Sequence, residues 1–315
     1  MQGTTAWEPN YLRLHRQGEL RWRATEAWQR LRRCTLCPRA CGADRLVGAT
    51  GAGAACRTGA RAVVASFHPH FGEEAPLVGS GGSGTIFFSH CNLACITCQN
   101  YEISQGGEGT AVEADGLAAM MLQLQSAGCH NINLVSPSHV VPQVLAGLLL
   151  AAEAGLRLPV VYNSGGYDAP PTLALLDGVV DIYMPDMKYA DSAVGLQLSH
   201  VADYPRRNQA AVQEMHRQVG DLVCDDQGVA RRGLLVRHLV LPKGLAGTAE
   251  VLRFLANQVS PNTYVNIMGQ YRPCHQARET APLHRPVTRQ EMDEATRLAS
   301  EAGLRRLDGA PGSER

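Results

Sequence analysis

The stretch GTIFFSHCNLACITCQNYEIS, residues 84–104, decides the fold and points to the chemistry of this chain. It opens with an apolar, β-branched and aromatic run at 85–88, which favours a buried strand. Cysteines follow in the spacing C-x3-C-x2-C, as Cys91, Cys95 and Cys98. Three thiolates on one short loop bind a soft metal well, but they leave a four-ligand set one ligand short. The segment therefore predicts a strand that carries an incomplete metal site at its end.

An iron–sulfur cluster is the first interpretation of these three cysteines. A [4Fe–4S] cluster normally takes four cysteines, so three would leave one iron open to a substrate or cosubstrate. Two alternatives stay open. One is a zinc knuckle completed by a distant fourth ligand, and the other is chance clustering in a chain with ten cysteines. The polar residues Asn92, Gln99 and Asn100 flank the cysteines and can bind sulfur or loop backbone.

The overall composition narrows the class of protein. The chain has 315 residues, of which 45% are hydrophobic and 18% charged, as in an ordinary globular protein. Basic and acidic residues balance at 29 each, so the net charge indicates neither nucleic acid nor an anionic membrane as a partner. No apolar run is long enough for a transmembrane helix, and residues 1–10 lack the pattern of a secretory signal. Clustered cysteines then predict reduced thiols in a cytoplasmic protein.

From residue 85 onward, strand-like and helix-like segments alternate. Strand-like runs cover 85–88, 131–136, 158–162, 179–184, 234–241 and 264–268. Helical periodicity covers 112–127, 139–154, 172–176, 192–219, 247–258 and 288–302. Six strands joined by helices predict an α/β fold with a parallel sheet, as a partial (β/α)6 barrel or a flat doubly wound sheet. In both, functional residues belong at the carboxyl ends of the strands.

The N-terminal part is predicted to be separate. Residues 1–83 form an N-terminal helix and Cys-rich region, residues 84–307 the barrel, and residues 308–315 a disordered tail. An amphipathic, arginine-rich helix is expected over 12–33. The phrase HPHFGEE, which contains Glu73 and Glu74, is expected to link the two parts or to orient substrate or a second metal.

A second cysteine group lies in this N-terminal region. It reads C-x2-C-P-x2-C-x14-C, as Cys34, Cys37, Cys41 and Cys56. Four protein ligands leave no open position, so the site is expected to be closed and non-catalytic. An auxiliary [4Fe–4S] cluster, structural zinc, rubredoxin-like iron and no metal at all remain as alternatives.

Charged side chains follow two of the predicted strands. Met184, Asp186 and Lys188 alternate onto one face at the end of the fourth strand, where a soluble barrel has no packing need for charge. Such a pair suits an amino-acid ligand, and the alternative is a simple ion pair that caps the barrel. On the fifth strand Arg237 is the candidate that faces inward and binds a carboxylate, while His238 packs outward. Beyond the sixth strand, Tyr271, Arg272 and Cys274 are candidates for the substrate side.

The cysteine loop resembles that of the radical S-adenosylmethionine superfamily. A longer series of phrases is similar to the PflX-type, pyruvate formate-lyase-activating-enzyme-like members: CxLCPRxCG, HFGEEAPLVG, GSGTIFF, CQNYEIS, NINLVSPSH, DIYMPDMKY, RHLVLP and VNIMGQYRP. The resemblance implies an oxidoreductase with a partial (β/α)6 barrel and a [4Fe–4S] cluster. In that superfamily the reduced cluster cleaves S-adenosylmethionine, and the resulting 5′-deoxyadenosyl radical abstracts hydrogen from a substrate.

The resemblance also implies roles for individual residues. Cys91, Cys95 and Cys98 would be the catalytic cluster ligands, and Lys188 would bind the carboxylate of S-adenosylmethionine. The remaining contacts are implied for a monovalent cation, the ribose and the amino group, by Met184, Asp186, Asn163, Ser164 and the backbone carbonyls of Ser136 and Pro137. Two departures are visible. Thr97 stands where the family usually has an aromatic residue, and the usual Gly-Gly-Glu is absent around Ser136.

The substrate is not implied by these motifs. One hypothesis is the activation of a glycyl radical enzyme, and another is modification of a peptide, RNA or metabolite. The expected partners are S-adenosylmethionine, a one-electron donor such as flavodoxin or ferredoxin, and in the first hypothesis a protein substrate. Alternatives of another class are a two-cluster iron–sulfur electron carrier and a zinc-ribbon binding module on a degenerate barrel.

Overall fold

Parallel strands form the centre of one open sheet in the computed structural model, which describes residues 7–309. The strands are β1 (Ala62–His70), β2 (Ser83–Phe88), β3 (Thr110–Val112), β4 (Ile132–Val135), β5 (Val160–Ser164), β6 (Ile182–Pro185), β7 (Val223–Cys224), β8 (Ala230–Leu239), β9 (Tyr264–Met268) and β10 (Arg306–Leu307). Their order is β10-β9-β8-β6-β5-β4-β2-β1-β3, with β7 beside β8. The strands β2, β4, β5, β6, β8 and β9 are all parallel to their neighbours in this series.

Helices connect these strands. They are α1 (Asn10–Arg16), α2 (Glu19–Gln29), α3 (Ala75–Val78), α4 (Tyr101–Ser104), α5 (Ala114–Ser126), α6 (Val141–Glu153), α7 (Pro170–Leu173), α8 (Ser192–Ser199), α9 (Tyr204–Val219), α10 (Thr248–Phe254) and α11 (Arg289–Ala302). The main apolar core lies between the sheet and these helices. None of the helices in residues 7–309 is long and apolar enough to span a bilayer.

The predicted α/β fold with a parallel sheet is confirmed in its main features. Each of the six strand-like runs found in the sequence overlaps one of the six central parallel strands, with ends displaced by a few residues. The packing of the side chains on β6 explains why these strands appear as apolar runs in the sequence. Tyr183 packs in the core beneath the helices, whereas Ile182 and Met184 pack in a separate apolar cluster on the opposite face. A strand buried on both faces reads as a continuous apolar run.

Two predicted helices are each divided in the structure. The helix expected over 12–33 is broken at Gly18, whose φ of 77° is left-handed, so α1 and α2 are separate. The helix expected over 192–219 is broken at His200, whose φ of 57° ends α8 before α9 begins. The breaks let short helices follow the sheet surface, and α2 packs on α6.

The segment predicted as an N-terminal region contributes to the sheet. Strand β1 pairs antiparallel with β2 and also with β3, so residues 62–70 extend the same sheet that holds the parallel strands. The glycine-rich stretch before β2 is ordered by hydrogen bonds, since Gly82 donates to Val78 and accepts from His130. Of the predicted tail at 308–315, Asp308 accepts a hydrogen bond from Tyr264, and residues 310–315 lie outside the described part.

Candidate functional site

A cavity of about 310 Å³ lies at the carboxyl ends of the six central strands. This volume is at the lower end of the range of small-molecule pockets. Each central strand or the residue after it contributes lining: Phe88, Val135, Ser136, Asn163, Ser164, Asp186, Arg237, Leu239 and Met268. Cys91, Cys95, Cys98, Gly165, Lys188 and Gln270 complete much of the wall. The cavity is therefore placed where a parallel α/β sheet positions its functional residues.

The three cysteines of the loop after β2 all line this cavity. Two of them contact hydroxyl groups from other elements. Cys95 Sγ lies 2.9 Å from Ser199 Oγ, and Cys98 Sγ lies 3.1 Å from Ser104 Oγ. The backbone N–H of Leu93 donates to Cys91 Sγ at 3.4 Å. Since a thiolate can only accept hydrogen bonds, these donors favour the deprotonated form that binds metal.

Tertiary contacts fix the cysteine loop in place. Asn92 Nδ2 donates to the carbonyl oxygen of Tyr167 at 2.6 Å, which ties the loop to the turn after β5. Ile96 donates from its backbone to Leu198 and accepts from Ala277, so the loop sits between α8 and the segment after β9. Asn92 is expected from the sequence to bond sulfur or the backbone of its own loop, but its amide nitrogen instead bonds the backbone of another turn.

Arg237 is the centre of the polar network at the strand ends. Its Nη2 donates to Asn163 Oδ1 at 2.6 Å, and its Nε donates to Asp186 Oδ1 at 3.0 Å. Its Nη1 lies 3.4 Å from Glu73 Oε2. As predicted, Arg237 faces inward. His238 faces the helices, where its ring contacts the carbonyl of Met187 and the hydroxyl of Thr248.

Lys188 and Asp186 form an ion pair in the cavity wall. Lys188 Nζ lies 2.6 Å from Asp186 Oδ2. Burial alone would raise the pKa of Asp186, but Lys188 and Arg237 hold that pKa below its usual range. Burial would lower the pKa of Lys188, but Asp186 and the neighbouring Cys95 thiol hold it well above its usual range. The pair is thus charged, and Lys188 has donor capacity left for a ligand.

Glu73 is a member of this network that the strand-end analysis did not single out. Its carboxylate accepts from Asn133 on β4 at 3.1 Å and lies beside Arg237 on β8. Burial raises the pKa of Glu73, while Arg237 opposes that rise. Its neighbour Glu74 accepts from Asn266 on β9 at 2.9 Å. The polar link expected from the HPHFGEE phrase is therefore present, and it joins the loop after β1 to three central strands.

Two residues predicted from the sequence, Asn163 and Ser164, lie at the end of β5 and line the cavity. Ser164 Oγ donates to Asp168 at 2.7 Å and accepts from the backbone of Gly166, while Asn163 is held by Arg237. Gly166 has a φ of 70°, and a Cβ there would lie 2.1 Å from the carbonyl oxygen of Asp186. Only glycine fits this close approach, which fixes the end of β5 against the end of β6.

Other predicted residues are placed less directly. Ser136 lines the cavity in a left-handed conformation with a φ of 60°, whereas Pro137 is buried in the following turn and is not part of the lining. Met184 lies on the inward face but is fully buried among apolar side chains below the cavity. Tyr271, Arg272 and Cys274 are outside the lining, and Tyr271 instead bonds the carbonyl of Leu283.

Burial affects the chemistry of the cavity cysteines. It raises the pKa of the Cys91 thiol to about 12, so a thiolate there needs a cationic partner. Three thiols that line one cavity are the type of donor that iron–sulfur clusters take. Within residues 7–309, no group of three or more His, Cys, Asp or Glu side chains is placed so that it could hold a metal ion.

The second cysteine group lies outside the cavity. Cys34, Cys37 and Cys56 are buried and Cys41 is exposed. Backbone hydrogen bonds from Cys34 to Ala43 and from Gly42 to Cys34 fold the loop back on itself. Cys56 then packs on Ala43. Burial raises the pKa of the Cys37 thiol to about 12, and Cys56, Cys34 and Cys41 also act to raise that pKa.

Comparisons with known proteins give relatives but no activity. No protein-family model matches the chain. It is 31% identical over 245 residues to the uncharacterized protein MJ0674 of Methanocaldococcus jannaschii. The aligned residues make up 75% of this chain and 66% of that protein, just under two thirds. SuiB of Streptococcus suis, solved with the precursor peptide SuiA, superposes with a TM-score of 0.48 and 12% identity over 70% of this chain and 47% of SuiB. The chain thus spans less than two thirds of the length of either of these two proteins.

Proposed function

We propose that this chain is a radical S-adenosylmethionine enzyme, an oxidoreductase whose [4Fe–4S] cluster is bound by Cys91, Cys95 and Cys98. One observation carries the proposal. The three cysteines and the charged strand ends line a single cavity. A metal centre that lacks a fourth protein ligand then faces a polar pocket of small-molecule size. When bound, the cluster would supply the single electron that cleaves S-adenosylmethionine.

The residues of the cavity suit the amino-acid end of S-adenosylmethionine. Lys188 and Cys95 both line the cavity, which fits a ligand whose carboxylate binds in the same cavity that faces the cluster. Arg237, which also donates to Asn163, donates to Asp186, so Asp186 stays ionised and keeps Lys188 oriented. Ser136 and Ser164 also line the cavity and offer hydroxyl and backbone groups there. Met184 contributes packing beneath Asp186 in this arrangement.

The sheet suits the partial barrel that this class of enzyme uses. Side chains from β4, β8 and β9 all contact the adjacent residues Glu73 and Glu74. In the sheet, β5 and β6 lie between β4 and the adjacent pair β8 and β9. A curved sheet brings its outer strands toward a common point, which favours a partial (β/α)6 barrel over a flat sheet.

The substrate is proposed only by class. Activation of a glycyl radical enzyme and modification of a peptide, RNA or metabolite remain as the two candidates, both dependent on the same radical chemistry. A two-cluster electron carrier is the less favoured alternative. Electron transfer has no use for a cavity of about 310 Å³ lined by Lys188, Asp186 and Arg237.

The test is anaerobic reconstitution with iron and sulfide, followed by reduction with dithionite in the presence of S-adenosylmethionine. We expect formation of 5′-deoxyadenosine and methionine, and loss of both in Cys95→Ala. The matched control is Cys224→Ala, a partly exposed cysteine on β7 away from the cavity, which should retain the activity.

If the reconstituted protein neither binds nor cleaves S-adenosylmethionine although the cluster is present, the proposal is wrong. Binding without cleavage would retain the cofactor assignment and direct attention to a substrate that triggers turnover. Binding is therefore measured separately, by anaerobic equilibrium dialysis with labelled S-adenosylmethionine.

A further inference from the structure

Two buried acceptor oxygens next to the cavity have no hydrogen-bond donor among the described residues. They are Glu74 Oε2 and Asn133 Oδ1. Glu74 is 5% exposed and Asn133 is completely buried. The contact of Asn133 Nδ2 with the carboxylate of Glu73 fixes which end of the Asn133 amide is the oxygen. Since a buried acceptor is costly to leave unpaired, the two oxygens indicate a donor that a ligand supplies.

Both acceptors belong to the face of the sheet that carries the cavity. Asn133 precedes Val135 by two residues on β4, and Val135 lines the cavity. Glu74 Oε1 accepts from Asn266, which precedes the cavity residue Met268 by two residues on β9. Side chains two residues apart on a strand point to the same face. The acceptors therefore lie one step deeper than the cavity wall, toward the amino ends of the strands.

The charges around these oxygens favour a cationic donor. The carboxylates of Asp186, Glu74 and Glu73 all act to raise the pKa of Arg237. Against these three carboxylates, the network in the described part of the chain contains two cations, Arg237 and Lys188. Protonation of Glu73, whose pKa is raised by burial, would balance the charge but would leave both oxygens without a donor. A ligand group with a positive charge and several N–H donors satisfies both needs.

A half-buried apolar wall leads from these acceptors toward solvent. Phe87 lies opposite Val135 in the register of β2 and β4, so the two side chains share a face. Both residues are half-buried, as is Met268. The ring of His68, an exposed residue of β1, stacks on Phe87 at 5.6 Å, which places the open side of this face beside β1. A carbon chain attached to the cationic group would therefore have apolar side chains to contact.

We infer that Glu74 Oε2 and Asn133 Oδ1 bind a protonated primary amine that enters from the open side beside β1. The ammonium group donates N–H hydrogen bonds to these oxygens, and its charge offsets the excess of carboxylate. Its carbon chain lies along Phe87, Val135 and Met268, in the direction of the cysteines. Binding involves no transfer of electrons and no covalent bond. That this amine belongs to the substrate rests on the proposed function, whereas the amine site itself does not.

The first experiment measures the binding of ammonium without radical chemistry. The full chain, purified anaerobically, is unfolded with urea at neutral pH in about 100 mM ammonium, potassium or tetramethylammonium chloride. All three cations carry one charge, but ammonium alone carries N–H donors. We expect the urea midpoint in ammonium to exceed the other two by roughly 0.3 M, as for a ligand with a Kd of about 10 mM. Equal midpoints in all three salts, or an equal rise in potassium, would overturn the amine site.

Two variants assign the effect to the acceptors. Glu74→Gln keeps the shape of the side chain but removes its charge, and we expect it to abolish the difference between ammonium and potassium. Comparison of the salts within one variant cancels any change in its intrinsic stability. Asn133→Leu is the second variant, in which the difference should shrink. Glu279→Gln, at an exposed position, should retain the full difference. A difference that persists in both Glu74→Gln and Asn133→Leu would contradict the assignment.

The second experiment tests whether the amine carries a carbon chain. Isothermal titration calorimetry compares methyl-, propyl- and pentylammonium chloride, with 1-pentanol as the neutral control. We expect the affinity to rise about twofold for each added methylene group, because the wall is half-buried rather than closed. Affinity that does not rise with chain length, or pentanol that binds as tightly as pentylammonium, would overturn the inference. Neither experiment uses S-adenosylmethionine, so failure of the proposed function would leave both results unchanged and is distinguishable from failure of the amine site.

Discussion

The ammonium group of Lys188 lies 2.6 Å from the carboxylate of Asp186, and both side chains line the cavity that contains the three cysteines. This contact is compatible with two interpretations, an ion pair that only caps the barrel and an ion pair that binds a ligand. The two interpretations differ in whether the remaining N–H donors of Lys188 bind a ligand. Because Lys188 and Cys95 line the same cavity, a ligand held by Lys188 could also reach the cysteines.

Replacing Lys188 with alanine is expected to weaken the binding of S-adenosylmethionine. The loss of a hydrogen bond to a charged group costs about 2 kcal/mol, which is roughly a thirtyfold rise in Kd. The measurement is anaerobic equilibrium dialysis of the reconstituted protein, with the iron content and visible spectrum recorded in parallel. Lys243→Ala, at an exposed position, is the matched control. Unchanged affinity in Lys188→Ala would assign the pair to structure alone.

Replacing Arg237 with methionine is expected to destabilise the fold. The change leaves Asp186, Asn163 and Glu73 without their shared donor in a poorly solvated wall. Breaking a buried ion pair in this way costs about 3 kcal/mol or more. Urea unfolding followed by circular dichroism measures the change in the free energy of unfolding. Arg253→Met, which removes an exposed pair with Glu250, should leave the midpoint nearly unchanged. Equal effects of the two variants would contradict the network.

The central strands and most of the cavity could be predicted from the sequence. Apolar runs mark strands that are buried on both faces, and polar residues directly after such runs are brought together by the parallel topology. This logic located Asp186, Lys188 and Arg237, which lie in the cavity wall as expected. The alternation of side chains along a strand also predicted that Arg237 and His238 lie on opposite faces of β8, as they do. The prediction that Met184 lies on the inward face is confirmed too, but the sequence did not reveal that the cavity ends above this residue.

Contacts between distant segments were not predictable in this way. Strand β1 contains His68, Pro69 and His70, which depart from a strand pattern, and this part of the strand is paired with the edge of β2. The contact of Ser199 with Cys95 joins residues 104 positions apart, and no local pattern reports it. The divided helices depend on single left-handed residues, Gly18 and His200. Glycine is a common helix end, whereas histidine at such a position has no clear sequence signal.

Replacing Ser199 with alanine is expected to lower the reduction potential of the cluster on Cys91, Cys95 and Cys98. Ser199 Oγ lies 2.9 Å from Cys95 Sγ and donates to it when the sulfur is a thiolate. Hydrogen bonds to the ligating sulfur stabilise the more negative, reduced state, so their loss makes reduction harder. A redox titration monitored by electron paramagnetic resonance measures the shift. Ser300→Ala, on the exposed face of α11, is the control. A potential that rises or stays constant in Ser199→Ala would contradict the contact.

Stability is expected to depend on pH through Asp181, which lies just before β6. Its carboxylate accepts from the backbone N–H groups of Val160 and Asn10, but burial raises its pKa from 3.8 to about 7. The folded state therefore holds a proton that the unfolded chain releases near pH 4. The stability that this bound proton contributes is fully present below pH 4 and is lost as the pH rises from 4 to about 7. Above about pH 7 the free energy of unfolding no longer changes with pH through Asp181.

The slope from Asp181 alone is at most about 1.4 kcal/mol per pH unit. It is measured as the difference between the parent protein and Asp181→Asn in urea unfolding at intervals from pH 4.5 to 8. The variant has one side-chain oxygen where Asp181 has two, so one of the two backbone N–H groups loses its acceptor and the variant is expected to be less stable throughout. The decline in this window should be shallower because the titrating group is gone. Parallel curves for the two proteins would show that Asp181 keeps an ordinary pKa, and that its two backbone hydrogen bonds outweigh the cost of burial.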